Sequence, residues 1–501
     1  MSQSTSSEGG SGVEAGRRSL RVPPWLLPSI AAAVFVALRF PFLHLPFYSD
    51  EVGYYVSYPL RLLTEDAGFR GLLQGLYGFT PGLPMLLLAF WKVAGVSVFG
   101  TKLFATLLAA AAVVVTGLAA HRESGPVAGG GAALMLAFAP PFFFHGTTLV
   151  PETVITLIGA LLLLSGSGRV SVLGPLVAAL FKPTGAALAV LPALNVLCER
   201  RDRGALLRIG LALTLPVIAL AGWWSIPWLM SETSVRISTS GRVEDSEFYH
   251  AFVRIQRPAE IWVFLVMRSL QFFVFDYRWL LTIGAVMATI TLWIRDRRRI
   301  FVGLAPALIL ILSYVVIHAI MGKYPLIRYL LPAFPAFFMA GAVLVDRAFG
   351  RLAAGIVFMM CAAMFLHAHG QTSFYGAGNY RGMGSWDDHE HGRDVVRAYA
   401  SAFRLAESEC PNFTLVGSYP ANAMAIEPEL GYVRSPHVQE LANVEDPPIL
   451  SGRPTVILLG DHFFPLPEWA SEVAYRKKWT VHSGRTSVFV GIPEGSICAS
   501  R

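Results

Sequence analysis

The chain has 501 residues, of which 54% are hydrophobic and only 15% charged, with a formal net charge of +7. Soluble domains carry about 25% charged residues. This composition, with a mean hydropathy of +0.53, excludes a water-soluble globular protein and demands a bilayer as solvent. The positive charge does not mark a nucleic-acid partner: the basic residues sit in short clusters between apolar runs, as in the cytoplasmic loops of multi-pass proteins.

The Ser/Gly-rich stretch from Met1 to Gly16 reads as disordered, within a cytoplasmic N-terminus covering 1–22. Arg17, Arg18 and Arg21 then precede an apolar run with no small-residue cleavage site, so the run is an uncleaved first span at about 24–45. An outer loop covers 46–99. Its second half, Leu83 to Phe99, is apolar but interrupted by Lys92 and Gly95 and reads as an interfacial helix. With about 20 apolar residues per crossing and Arg/Lys clusters placed inside, further spans follow at about 101–120, 126–145, from Glu152 to Arg169, 171–181, 184–198, 206–229, 277–294, 301–320, a tenth ending at Asp346-Arg347, and 352–369. Residues 260–275 read as a second interfacial helix. Eleven spans put every strongly basic cluster on one side, the cytoplasmic one. The remaining chain emerges outside.

From about 370 to 501 polar residues return, and the apolar runs shorten to strand length. Phe413–Gly417, Thr455–Leu459 and Ser487–Gly491 read as strands and Asp394–Ala406 as an amphipathic helix. The expected fold class is therefore a polytopic α-helical membrane protein with a small extracytoplasmic α/β domain at its C-terminus. Of the four cysteines, Cys198 and Cys361 lie in apolar runs as packing residues, and no metal-binding spacing occurs. Cys410 and Cys498 share the soluble domain, where an oxidising location would permit a disulfide or leave both free.

Chemistry can sit where carboxylates and cations meet the outer membrane surface. Asp50 and Glu51 follow the first span directly, flanked by Tyr48, Tyr54 and Tyr55. Loops leaving a membrane often hold acids and interfacial tyrosines. A carboxylate held there could also serve as general base toward an acceptor. Glu152 opens the fourth span, where it could act as a helix-start acid or join the same site. Lys182, in Phe181-Lys182-Pro183-Thr184-Gly185, interrupts an apolar stretch. Such a cation either snorkels or binds an anionic lipid phosphate. Lys323, Tyr324 and Arg328 form another outward cationic group, suited to a phosphate leaving group. Arg268 is a lesser candidate for that task.

In this order, Asp50-Glu51, Phe79-Thr80-Pro81-Gly82-Leu83-Pro84, the Glu152 segment, Lys182-Pro183-Thr184-Gly185 and Arg328-Tyr329-Leu330-Leu331-Pro332 resemble the GT-C superfamily of polyprenyl-phosphate-sugar-dependent glycosyltransferases. Within it they are similar to the branch of protein O-mannosyltransferases and aminoarabinose transferases, over about 25–370. The resemblance implies a transmembrane catalytic domain at 23–369 and transfer, with inversion, of a sugar from a polyprenyl phosphate to a lipid, glycan or protein acceptor. Asp50 then activates the acceptor, with Glu51 as helper or structural neighbour. Glu152 is the second acid, and Lys182 contacts donor phosphate along with Lys323, Tyr324 and Arg328. Thr80 stands where some members place Lys or His. Many relatives need no metal, although Asp50, Glu51 and Glu152 could hold a divalent cation. A transporter or lipid flippase of envelope glycolipids is the alternative, as is a non-catalytic scaffold. Acids confined to one surface favour interfacial chemistry over either.

Overall fold

A computed structural model describes residues 23–48, 51–64, 80–165, 169–193, 203–230, 257–295, 299–321, 326–370, 391–417, 420–437, 439–441, 453–460, 468–484 and 486–498. The expectations for residues 1–22, Asp50, Cys198, Lys323 and Tyr324 lie outside the described residues.

Apolar sequence without strong breakers folds into helices because a bilayer leaves backbone N–H and C=O groups no other partners. The first half supplies α1 (Leu26–Arg39), α2 (Ser57–Thr64), α3 (Gly82–Ala94), α4 (Val98–Ser124), α5 (Pro126–Phe138), α6 (Pro140–His145), α7 (Pro151–Ser165) and α8 (Arg169–Phe181). The second supplies α9 (Arg203–Met230), α10 (Pro258–Phe273), α11 (Trp279–Arg295), α12 (Arg299–Met321), α13 (Phe334–Phe349) and α14 (Arg351–Gly370). Segments Val98–Ser124, Ile327–Phe349 and Arg351–His369 are long and apolar enough to cross a membrane. On α1, Leu27, Ile30, Val34 and Leu38 are exposed while Ala31, Ala32 and Phe35 are buried. Ile283, Val286, Met287 and Ile290 of α11 and Leu352, Ile356, Met359 and Met360 of α14 likewise face outward. Helices with small residues inside and large apolar ones outside are built for lipid. Gly117 and Gly129 let two helices meet closely: a Cβ on Gly117 would lie 2.9 Å from the Gly129 carbonyl and 2.6 Å from the Pro28 ring.

One expected span is interrupted. The segment 126–145 breaks at Ala139, because Pro140 and Pro141 begin a new short helix there. After α8 the chain turns through extended Lys182 into a 3₁₀ helix, Pro183–Ala189.

The helix ends sort into two groups. At one end, Arg122 of α4 donates to the carbonyls of Leu163 (3.2 Å) and Leu164 of α7. There too Ser124 bonds Asp346 at 2.5 Å and Arg347 bonds the Glu123 carbonyl at 2.6 Å. The other end holds Arg39, Lys102, His145, Glu152 and Lys182, and carries the C-terminal domain.

That domain is a five-stranded sheet in the order β2-β1-β3-β5-β4. Strands β1 (Thr414–Gly417), β2 (Gln439–Leu441) and β3 (Thr455–Gly460) are parallel. Antiparallel β5 (Thr486–Pro493) and β4 (Tyr475–Ser483) complete it. The three strands legible in the sequence are the central ones. The edge strands β2 and β4 lack an apolar run in the sequence, which hid them; β4 even carries Arg476, Lys477 and Lys478 on exposed positions. Helix α15 (His391–Glu409) covers the sheet through Val395, Ala398, Tyr399, Ala402, Phe403 and Ala406. One continuous core joins these residues to Phe47, Val52, Leu83 and Leu87 of the membrane domain.

Cys410 and Cys498 form a disulfide that ties the end of α15 to the segment after β5, closing a separation of 88 residues. Cys361 is free and buried. Replacing both bridged cysteines with serine is expected to destabilise the C-terminal domain by about 2–4 kcal/mol, measured as a lowered unfolding midpoint under non-reducing conditions. No added effect of reductant should remain.

Candidate active site

The site begins where α1 ends. Arg39, 1% exposed, cannot stay unpaired at that depth. It donates to the carbonyl of Phe144 at 3.0 Å and to the Thr147 hydroxyl, with its guanidinium over the rings of Phe42 and Phe143 at 5.3 and 4.6 Å. The end of the first span is thereby pinned to the α6 region.

The chain then runs through Pro46, Phe47 and Tyr48 to a single π-helical turn, Glu51–Tyr55. Glu51 is 1% exposed. Its two carboxylate oxygens accept from the backbone N–H groups of Tyr48 (2.7 Å) and Leu149 (2.6 Å). Charge-assisted bonds to buried amides are among the stronger ones in proteins. Glu51 is thus a bracket between the first loop and the loop before α7. Lys102, from the first turns of α4, donates to the Pro46 carbonyl at 2.9 Å and lies within electrostatic reach of Glu51.

The loop after α6 is braced internally. His145 Nδ1 meets the Thr148 hydroxyl at 3.0 Å, and that hydroxyl donates to the His145 carbonyl at 3.1 Å. Three residues beyond Leu149 comes Glu152, also 1% exposed. Glu152 Oε1 accepts from Lys182 Nζ at 2.8 Å. The ammonium also stands 3.5 Å above the centre of the Tyr329 ring. His318 of α12 stacks on Tyr329 at 5.6 Å, Arg328 approaches the same ring at 5.5 Å, and Arg268 of α10 donates to the carbonyl of nearby Leu326 at 2.9 Å. Glu152 Oε2, the Tyr314 hydroxyl and His318 Nε2 are buried and have no hydrogen-bond partner among the described residues. Tyr314 lies within electrostatic reach of Glu152, and His318 of Arg268 and Lys182.

Of the residues singled out in the sequence, Glu51, Glu152, Lys182, Arg328 and Arg268 come to one end of the bundle. The four-residue segment from Leu149 to Glu152 joins their two halves, since it bonds Glu51 at one end and Lys182 at the other. Asp50, Lys323 and Tyr324 adjoin this region in the chain but lie outside the described residues. As for a divalent cation, Glu51 is committed to amides and Glu152 to an ammonium. Among the described residues no group of three potential ligands gathers. Arg39, Lys102, Tyr314 and His318 escaped the sequence reading. Each is a polar interruption of an apolar run, so the rule that flagged Lys182 could have flagged them.

A buried ion pair is costly to break from one side. Glu152→Gln and Lys182→Met are each expected to destabilise the membrane domain by about 3–5 kcal/mol. The double variant should lose less than the sum, which a double-mutant cycle on thermal unfolding in detergent measures.

The chain is a polytopic membrane protein with a GT-C fold, the fold that the order of its motifs implied. Two solved structures share it. ArnT from Cupriavidus metallidurans in the apo state superimposes with a TM-score of 0.56 at 14% identity, over 95% of this chain and 99% of that one. The same protein bound to undecaprenyl phosphate gives 0.55 at 14% identity, over 94% and 99%. A weaker likeness, TM-score 0.47 at 13% identity over 95% of this chain and 40% of the other, is to arabinofuranosyltransferase AftD from Mycobacteria. No family model and no curated protein matches the sequence.

Proposed function

We propose that this protein is a membrane glycosyltransferase that moves a sugar from a polyprenyl phosphate to a lipid, glycan or protein acceptor at the face bearing the C-terminal domain. The observation that carries this reading is the buried Glu152–Lys182 pair on Tyr329, flanked by Arg328 and joined through Leu149 to the loop of Asp50 and Glu51. Apolar helices bring a lipid-linked donor to such a place, and a cationic cluster suits its phosphate. The shared fold with a protein solved with undecaprenyl phosphate bound supports a lipid-phosphate ligand.

In the proposed reaction Asp50 accepts the proton of an acceptor hydroxyl or amine as that group attacks the anomeric carbon. The carbon–oxygen bond to phosphate breaks with inversion, and its electron pair leaves on the polyprenyl phosphate. The leaving group already carries negative charge, which Lys182, Arg328 and the neighbouring Lys323 and Tyr324 stabilise. Glu51 places Asp50 by fixing the loop. Glu152 orients Lys182. Its second oxygen, with Tyr314 and His318, offers acceptor and donor groups that fit sugar hydroxyls.

The disulfide agrees with an oxidising compartment for the C-terminal domain. It supports a plasma-membrane protein with a cytoplasmic N-terminus and an extracytoplasmic C-terminal domain.

Purified protein in nanodiscs should bind undecaprenyl phosphate. Lys182→Met and Arg328→Met should each weaken that binding about tenfold or more, roughly the loss of one charge-assisted contact. Asp50→Asn should bind normally yet abolish transfer of radiolabelled sugar from polyprenyl phosphates in membranes. Unchanged transfer by Asp50→Asn would remove the base, and accumulation of a translocated lipid would favour a flippase.

A further inference from the structure

Both backbone polar groups of Phe47 are taken by the C-terminal domain. The Phe47 N–H donates to the Leu430 carbonyl at 3.3 Å, and the Phe47 carbonyl accepts from the Tyr432 hydroxyl at 2.6 Å. Gly431 between them has φ +89°, and a side chain there would meet Val98 Cγ2 at 3.2 Å and Pro46 at 3.4 Å. A glycine in this left-handed conformation lets the segment approach the loop edge-on. Tyr432 is 3% exposed, and its ring lies 6.0 Å from that of Phe403. The neighbouring anchors come from the membrane domain: Lys102 on the Pro46 carbonyl and Glu51 on the Tyr48 N–H. Three consecutive residues, 46 to 48, are therefore held from both domains, and Asp50 follows two residues later.

We infer that the C-terminal domain is a working part of the catalytic site and that Tyr432 is its positioning residue. Tyr432 fixes the Phe47 carbonyl, at the start of the stretch that the Glu51 carboxylate holds at the Tyr48 N–H. The inference rests on the proposed role of Asp50. Phe47 directly precedes Tyr48, so a rotated Phe47–Tyr48 peptide moves the N–H that the Glu51 carboxylate accepts from. A displacement of about 1 Å at a reacting group can cost two orders of magnitude in rate. A domain that served only to recruit acceptor would have no use for a buried hydroxyl on this carbonyl.

Tyr432→Phe keeps the ring and deletes the bond. In membranes given radiolabelled polyprenyl-phosphate sugars, the full-length variant should lose about tenfold or more of the rate at saturating donor. The donor concentration at half-maximal rate should stay within about twofold, as should binding of undecaprenyl phosphate to the purified protein. Hydrogen exchange at the Phe47 amide should quicken. Tyr475→Phe is the control: it deletes another hydroxyl bond of the same domain, to the Ala470 carbonyl at 2.7 Å, and should leave the rate unchanged. Should Tyr432→Phe fail to accumulate, Lys102→Met removes the neighbouring anchor and should show the same split. A wild-type rate in Tyr432→Phe, or an equal loss in Tyr475→Phe, overturns the inference. Asp50→Asn in the same assay separates the two levels: if that variant still transfers sugar, the catalytic reading fails. If it is inactive while Tyr432→Phe is fully active, only the positioning role fails.

Discussion

A carboxylate buried against two backbone amides holds this end of the molecule together. Glu51 accepts from Tyr48 and from Leu149, residues that belong to loops about a hundred positions apart. Without that bracket the first loop would lose its bond to the loop before α7 and lean on contacts such as Lys102, the Phe144 ring and the C-terminal domain. The loop before α7 would lose its fixed point three residues ahead of Glu152. The ion pair of Glu152 with Lys182, and the stacking of Lys182 on Tyr329, both take their position from that loop.

The arrangement follows from the cost of polar groups in an apolar bundle. Arg39, Lys102, Glu152, Lys182 and Arg328 are all largely buried, and each one with a described partner meets it through a hydrogen bond, an ion pair or an aromatic face. An unpaired charge at such depth is expensive, so these residues organise one another. The exceptions are informative. Glu152 Oε2, Tyr314 and His318 keep polar atoms without partners among the described residues, beside the cationic cluster, and buried polar groups left this way point to a ligand or water.

The C-terminal domain is closely integrated with this end. Its core is continuous with that of the first loop, and its Leu430–Tyr432 segment takes both polar groups of Phe47. The disulfide between Cys410 and Cys498 steadies the domain itself, which makes it a platform for a loop whose residues 43–48 have no helix or strand of their own.

The sequence by itself determined that the chain lives in a bilayer, that its apolar segments follow in the observed order, and that a small α/β unit closes it. Composition, span length and basic clusters are local properties, readable one window at a time. The central strands and α15 were legible for the same reason. Residue type and place in the order of motifs were enough to single out Glu51, Glu152, Lys182 and Arg328. Only the tertiary structure decided what they touch: that Glu51 binds amides of Tyr48 and Leu149, that Glu152 pairs with a lysine 30 residues away, and that Phe47 is held by a tyrosine 385 residues away. Such pairings depend on which helix faces meet and at what depth. That is settled by packing across the whole bundle, of which no single stretch of sequence carries a record.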